Sequence, residues 1–230
     1  MMPLSDARIQ RRGLILLAAA AVIFLGANLP ASATPSAARD ALREVRAYIA
    51  AHNRHDLTGV MAFYAEDATF VLNGGRPPVE GRSKISELEA FDVAAGSQLH
   101  PLGLQARVEG DGVVVSLQRV VEKSRLFSAA GLDTVSSQPL ARAFVVRHGK
   151  FVLVAEPEFK PACREVMVQA LSGTMTWLKS TSDVRKSVLA PQAKLELTTP
   201  NVAVLVGAFR DWRSVSGWKP DERQVKLCAG

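Results

Sequence analysis

Several side chains in this sequence are of types that could do chemistry. Tyr48 lies in an apolar helical stretch, where its hydroxyl could bind a ligand in a pocket or simply be satisfied inside a core. His52 and His55 follow three apart, a spacing that permits a shared metal, but no third ligand is marked beside them. A solvated helix end with favourable dipole contacts is the other reading of that pair. His100, in "QLHPLG", could work as an acid–base partner of Asp67 or Glu66 in "FYAEDATF", or be an exposed loop histidine.

Two arginines raise a different question. Alternation through Val115, Leu117, Arg119 and Val121 sets Arg119 on an apolar strand face, with Glu122 on the other, and Arg142 in "LARAF" is similarly placed. Each either meets a ligand anion or a partner, or reaches the sheet edge and snorkels into solvent. No serine nucleophile elbow, zinc metalloprotease helix, phosphate-binding loop or paired-cysteine metal knot occurs. Neither a metal nor a cofactor is therefore expected.

The elements that must position these residues fall in a clear order. "SAARDALREVRAYIAAHNRHDLTGV" carries Ala41, Leu42, Val45, Tyr48, Ile49 and Ala50 at helical spacing, and Asp56 can cap a short second helix with Leu57, Val60, Met61 and Phe63 on its apolar side. "ATFVLNGG" reads as a strand ending in a glycine turn, with Phe70 and Leu72 on one side of it. A third helix follows, capped by Ser83 and burying Ile85, Leu88 and Phe91. The strand-like pieces "LGLQARVEG", "GVVVSLQRVVEKSRL", "LARAFVVRHG" and "KFVLVAEPEF" come next, joined at "GDG" and "HGK" by hairpins. Helices first and antiparallel strands after is an α+β pattern.

The phrase "YIAAHNRHDLTGVMAFYAEDATFVLNGGRPPVEGRSKI", with the strand pairs around "RVEGDGVVVSLQRVVE" and "ARAFVVRHGKFVLVAEPEF", resembles the nuclear transport factor 2-like superfamily, and within it the SnoaL-like and ketosteroid-isomerase-like branch. The resemblance covers about residues 37 to 160. It implies a cone: a curved antiparallel sheet wrapped by three N-terminal helices, enclosing a pocket that Tyr48, Phe70, Leu72, Arg119 and Arg142 would line. It also implies Asp67 at a helix-to-strand junction. It does not fix a reaction, because this fold hosts isomerases, dehydratases, cyclases and binding modules. The isomerase branch's general base would fall at Leu72, or at Asn73 one residue on, and neither side chain can take a proton from carbon. Its tyrosine donor falls on Tyr48, and its second, acidic donor would fall in "LARAFVV", which has no carboxylate.

Residues 161 to 230 exceed that pattern. "CREVMVQALSGTMTWLKSTSDVRKSV" reads as a helix interrupted at Gly173, and "AKLELTTPNVAVLVGAF" as strand, turn and strand. The expected class is thus a cone-shaped α+β domain over residues 34–160 with a helix-plus-strand extension over 161–230. Cys163 and Cys228 are the chain's two cysteines, and in an oxidising compartment they read as one disulfide, two free thiols being the alternative. Trp177, Trp212 and Trp218 either pack the extension on the cone or face a partner.

Residues 1–33 read as an export signal: Arg8, Arg11 and Arg12, then the apolar run "LILLAAAAVIFLGANL", then "PASA". That run is about sixteen residues, short of the roughly 20 a membrane-spanning helix needs, though an uncleaved anchor is the alternative. Cleavage before Thr34 would send the chain to the periplasm or the medium, and "QRRGLIL" is an atypical relative of twin-arginine signals. Its loss removes three basic residues and one acidic, taking the formal charge from +6 to about +4. No basic block with interleaved aromatics marks a nucleic-acid surface, and no stable membrane span is expected after the signal.

Three functions remain open from sequence. The leading one is an exported module that holds a small apolar molecule or a peptide. The second is a cofactor-independent lyase or isomerase of dehydratase or cyclase type, working through Tyr48 and an acid or histidine; the third is an envelope assembly module resting on the tryptophans. A homodimer through the outer sheet face is a further expectation.

Overall fold

The computed structural model describes residues 35–73, 76–139, 142–180 and 199–230. The expected export signal, residues 1–33, lies outside them. Helix α1 (Pro35–Asn53) opens the described chain and α2 (Leu57–Met61) follows it. Asp56 caps α2 by accepting the Gly59 N–H at 2.8 Å, as its position before the apolar run predicts. Strand β1 (Tyr64–Val71) starts directly after α2, and the two-residue β2 (Val79–Glu80) pairs back on it. Helix α3 (Arg82–Ala94) takes Gly81, at φ 89°, as its N-cap, and Ser83 lies in its first turn. Only a residue free to enter the left-handed half of the map can make that turn cheaply, and Ser83 falls one step inside the helix.

Strands β3 (Gln98–Glu109) and β4 (Gly112–Lys123) form a long hairpin. The short α4 (Arg125–Ala129), capped by Ser124, and β5 (Val135–Ser136) interrupt the strand run before the hairpin of β6 (Arg142–Arg147) and β7 (Lys150–Ala155). The sheet order is β2-β1-β7-β6-β4-β3, with β5 paired to β4. The β1–β7 pair is parallel and the others are antiparallel. The sheet is curved and does not close, and helices cover it: α1 packs on β3 and β4, and α3 on β1.

Three C-terminal helices complete the described chain: α5 (Pro161–Ser180), α6 (Thr199–Ser216) and α7 (Glu222–Ala229). The expected strand, turn and strand over 193–209 is corrected by α6, while 193–198 lie outside the described residues. Val202, Leu205, Val206, Phe209 and Trp212 are all buried, a helical stripe at i, i+3, i+4, i+7 and i+10. The valine-rich composition suggests a strand, but the spacing is helical. Pro200 belongs to the first turn, where its missing N–H is not needed.

Gly173 does not break α5. It faces the Trp212 indole so closely that a Cβ there would overlap the ring, so its absent side chain is what lets α5 and α6 approach. Cys163 and Cys228 form a disulfide across a sequence separation of 65, tying α7 to the start of α5.

The apolar side chains divide into two main bodies. The first holds α1, α2, β1 and the covered face of the sheet, including Val45, Tyr48, Phe70, Val115, Leu117, Phe144 and Phe151. The second gathers α4, α5 and α6 around Phe209 and Trp212. Helix α3 is the wall between them: Ile85 and Leu88 face the first body, Phe91, Ala94 and neighbouring Ala95 the second.

Candidate functional site

The first body is not purely apolar. Tyr48 and His52 stand one turn apart on the inner face of α1, and both are fully buried. Tyr64 is the first residue of β1, where the inward phase of the alternation buries it with Ala68 and Phe70. Glu89 follows Ile85 by four residues on α3, so the stripe that buries Ile85 buries the carboxylate as well, at 2% exposure.

These residues meet. Glu89 Oε1 accepts the Tyr48 hydroxyl at 2.9 Å and the Tyr64 hydroxyl at 2.5 Å. Tyr48 and Tyr64 are the chain's only tyrosines, and both hydroxyls are committed to one carboxylate oxygen. Glu89 Oε2 lies 3.9 Å from His52 Nε2, and Asp92, half-buried one turn further along α3, completes the group.

Aromatic rings wall the cluster. Phe144 and Phe151 stand 5.5 and 5.3 Å from Tyr48, centroid to centroid, and Phe63 stacks on Phe151 at 5.8 Å. Burying a carboxylate among rings is costly unless hydrogen bonds compensate. Bonds from phenols to an ionised acceptor are of the stronger, charge-assisted kind, and the surrounding apolar walls raise their weight further.

The sequence candidates fare unequally. Tyr48 is at the centre of the cluster, whereas Asp67 and His100 are exposed, so those three do not converge on one site. Asp67 lies mid-strand in β1 and not at a helix-to-strand turn, and alternation turns it outward between Tyr64 and Ala68. His100 pairs with Val121 on β3, outward-facing between half-buried Pro101 and buried Leu99. His55 adopts φ 59° in the turn after α1 and is exposed, away from His52.

Phe70 is buried and half-buried Leu72 packs against the same body, as period two predicts. Asn73 is tied to Glu156, donating its amide to the Glu156 backbone carbonyl at 2.9 Å. Arg119 is half-buried and does not enter the cone: its Nη1 donates to the Gly230 carbonyl at 2.8 Å. The alternation that put Arg119 with Val115 and Leu117 changes phase along β4, since Val120 and Glu122 are the buried residues past Gln118. Arg142 opens β6, and its side chain lies outside the described residues.

Glu89, Tyr64 and His52's role beside them were not recognised from sequence. "SELEAF" reads as an ordinary amphipathic turn, and the clue was Glu89 at i+4 from Ile85 on the buried face. In the extension, Trp212 is buried and Trp218 half-buried, with rings 4.9 Å apart, which places both within the fold. The surface clefts are elsewhere: one runs along Pro161, Arg164 and Val168 of α5, another lies between Asp40, Arg43 and the hairpin turn at Asp111.

An unclosed curved sheet wrapped by N-terminal helices is the α+β arrangement that the sequence leads one to expect. Residues 45–154 match the family model of the SnoaL-like domain, and helices α5, α6 and α7 lie beyond that match. Among solved structures, an LEH-like epoxide hydrolase of M. tuberculosis is 17% identical, with a TM-score of 0.43, over 60% of this chain and 97% of its own. The epoxide hydrolase/cyclase-like enzyme SalBIII, of pyran ring formation in the polyether salinomycin, is 20% identical, with a TM-score of 0.43, over 54% of this chain and 92% of its own. A ketosteroid isomerase-like protein from Erwinia carotovora atroseptica is 18% identical, with a TM-score of 0.40, over 53% and 95%. Likenesses at this level do not select a chemistry for this chain. No curated protein matches it.

Proposed function

We propose that the chain is a lyase or isomerase of small, mainly apolar carbonyl compounds, in which Glu89 moves a proton and a tyrosine of the cluster holds the oxygen. The observation that carries this reading is the pair of phenol hydroxyls on one oxygen of a buried carboxylate. A substrate carbonyl that takes the place of Glu89 Oε1 receives one tyrosyl hydrogen bond, and Glu89 is then left facing the carbon beside it. Glu89 removes the proton from that carbon as the C–H electrons move toward the carbonyl, and the tyrosine stabilises the charge that develops on oxygen. Returning the proton to another carbon is isomerisation; expelling a β-hydroxyl is dehydration.

This differs from the leading sequence expectation, a module that only stores a ligand. A storage pocket has no need of a buried carboxylate held by two phenols. The disulfide supports a working place in an oxidising compartment, consistent with export. Among the described residues no helix is long and apolar enough to cross a membrane.

The test is exchange of α-protons into heavy water, followed by NMR over a panel of cyclic ketones and β-hydroxyketones. The reading expects exchange of at least one class by the wild type and its loss in Glu89→Gln, with binding retained. Exchange that survives in Glu89→Gln, or a panel that neither binds nor exchanges, overturns it.

A further inference from the structure

The geometry points to a binding site for one first-row divalent cation of the zinc type, held by His52, Glu89 and Asp92. One donor atom from each lies within 4.8 Å of the others. The second observation is Glu89 Oε2. Both tyrosines occupy Oε1, whereas Oε2 is buried and accepts no hydrogen bond among the described residues, and it faces His52 Nε2 at 3.9 Å. A buried carboxylate oxygen left without a donor is costly, and a cation is the partner that its surroundings are built to accept.

The dimensions fit. Ligand atoms around a tetrahedral zinc ion, each about 2.0–2.1 Å from the metal, stand about 3.4 Å apart. The His52–Glu89 pair, at 3.9 Å, therefore needs to close by about 0.5 Å, and the separations within the group, all within 4.8 Å, by at most about 1.4 Å, within the reach of side-chain rotation. Glu89 and Asp92 are three apart on α3 and His52 comes from α1, so two fixed helices supply all three donors.

The donor set is selective. One imidazole and two carboxylates suit zinc and its neighbours, whereas calcium takes six to eight oxygens. Three protein ligands leave a fourth position open for water or substrate oxygen. Tyr48 and Tyr64 grip the ligating carboxylate from behind, the outer-shell arrangement that orients a metal ligand. Both cysteines are in the disulfide, so no thiolate competes for the ion. Asp92 is half-buried and gives the ion a route in from solvent.

The site goes beyond the acid–base reading and does not depend on it, since cation binding needs only the three donors. The experiment takes the full chain, treated with EDTA and dialysed, and titrates it with Zn²⁺ by calorimetry and with Co²⁺ by visible absorption. One equivalent is expected, with affinity falling by about tenfold or more in Asp92→Asn and Glu89→Gln. Far-ultraviolet circular dichroism and urea unfolding check folding of each variant, and Asp92→Asn decides alone if Glu89→Gln does not fold. Absence of saturable binding overturns the site. So does one equivalent that both variants keep, which would place the ion on His55, His100 or His148 at the surface. α-Proton exchange by EDTA-treated protein that binds no zinc overturns the cation site alone; one equivalent of zinc without exchange overturns only the acid–base reading.

Discussion

The cone and the helical lobe bury their interiors on opposite principles. The cone encloses a carboxylate, an imidazole and two phenols among phenylalanine rings, and both phenol hydroxyls donate to one oxygen of the carboxylate. The lobe around Phe209 and Trp212 is packed chiefly by aliphatic and indole groups, with Gly173 admitting an indole at close range. A disulfide secures its end. One interior gives up apolar burial to keep charge, and the other maximises contact. The proposed chemistry uses the first, and the second packs against α3, the helix that carries Glu89. The aromatic residues divide along the same line: both tyrosines are in the cone, and all three tryptophans, Trp177, Trp212 and Trp218, are in the extension.

That division lets each region be perturbed and read separately. The largest effect is expected from replacing both cysteines by serine. The chain-entropy argument for a 65-residue loop gives a loss of about 4 kcal/mol. Urea unfolding followed by tryptophan fluorescence should show the drop, with the tyrosine circular dichroism of the cone less affected. Equal losses by both probes would make the two regions one cooperative unit.

Next is Glu89→Ala, which strands two buried hydroxyls beside His52 and should cost about 3 kcal/mol. Glu89→Gln keeps an acceptor and should cost about 1 kcal/mol. Near-equal losses in the two variants would mean that the hydrogen bonds to Glu89 add little to the cone. Gly173→Ala should cost about 1–3 kcal/mol by overpacking Trp212. Its tryptophan emission should shift while the tyrosine signal stays, and a neutral result would mean that α5 and α6 can slide apart. The smallest effect is expected from Asp56→Ala, about 1 kcal/mol for the lost α2 cap, measured by the same urea titration.

How much of this was written legibly in the sequence differs between the regions as well. In the cone, the order of helices, the hairpins at Gly110–Gly112 and His148–Lys150 and the Asp56 cap follow from local turn and capping chemistry. So does the burial of Phe70 beside Leu72, by simple alternation. Alternation misled at Arg119 because β4 changes its buried face along its length, a tertiary feature with no mark in the strand itself. In the lobe, the valines of α6 suggested strand composition although their spacing is helical, and spacing is the better guide. The disulfide pairing was legible because two cysteines permit one bridge.

The site itself was half legible. Tyr48 was marked by its place in the family phrase, but its partners lie 16 and 41 residues further on. Glu89 looks like one more charged residue of an amphipathic helix. Only the third dimension shows that its turn of α3 faces Tyr48 and Tyr64 and not solvent. Asp67 and His100 were attractive by residue type, and the outward phase of β1 and β3 places both outside the buried cluster.

The most direct test of the account uses the segregation of its aromatic residues. Near-ultraviolet circular dichroism of the wild type would be recorded while a carbonyl compound retained in the exchange panel is titrated in. Occupation of the cone must disturb the bands of Tyr48 and Tyr64, which share Glu89, and leave the tryptophan bands of the lobe in place; Glu89→Gln should weaken the tyrosine response. A saturable tryptophan response with silent tyrosines would place the ligand on the helical lobe and contradict the assignment of function to the cone.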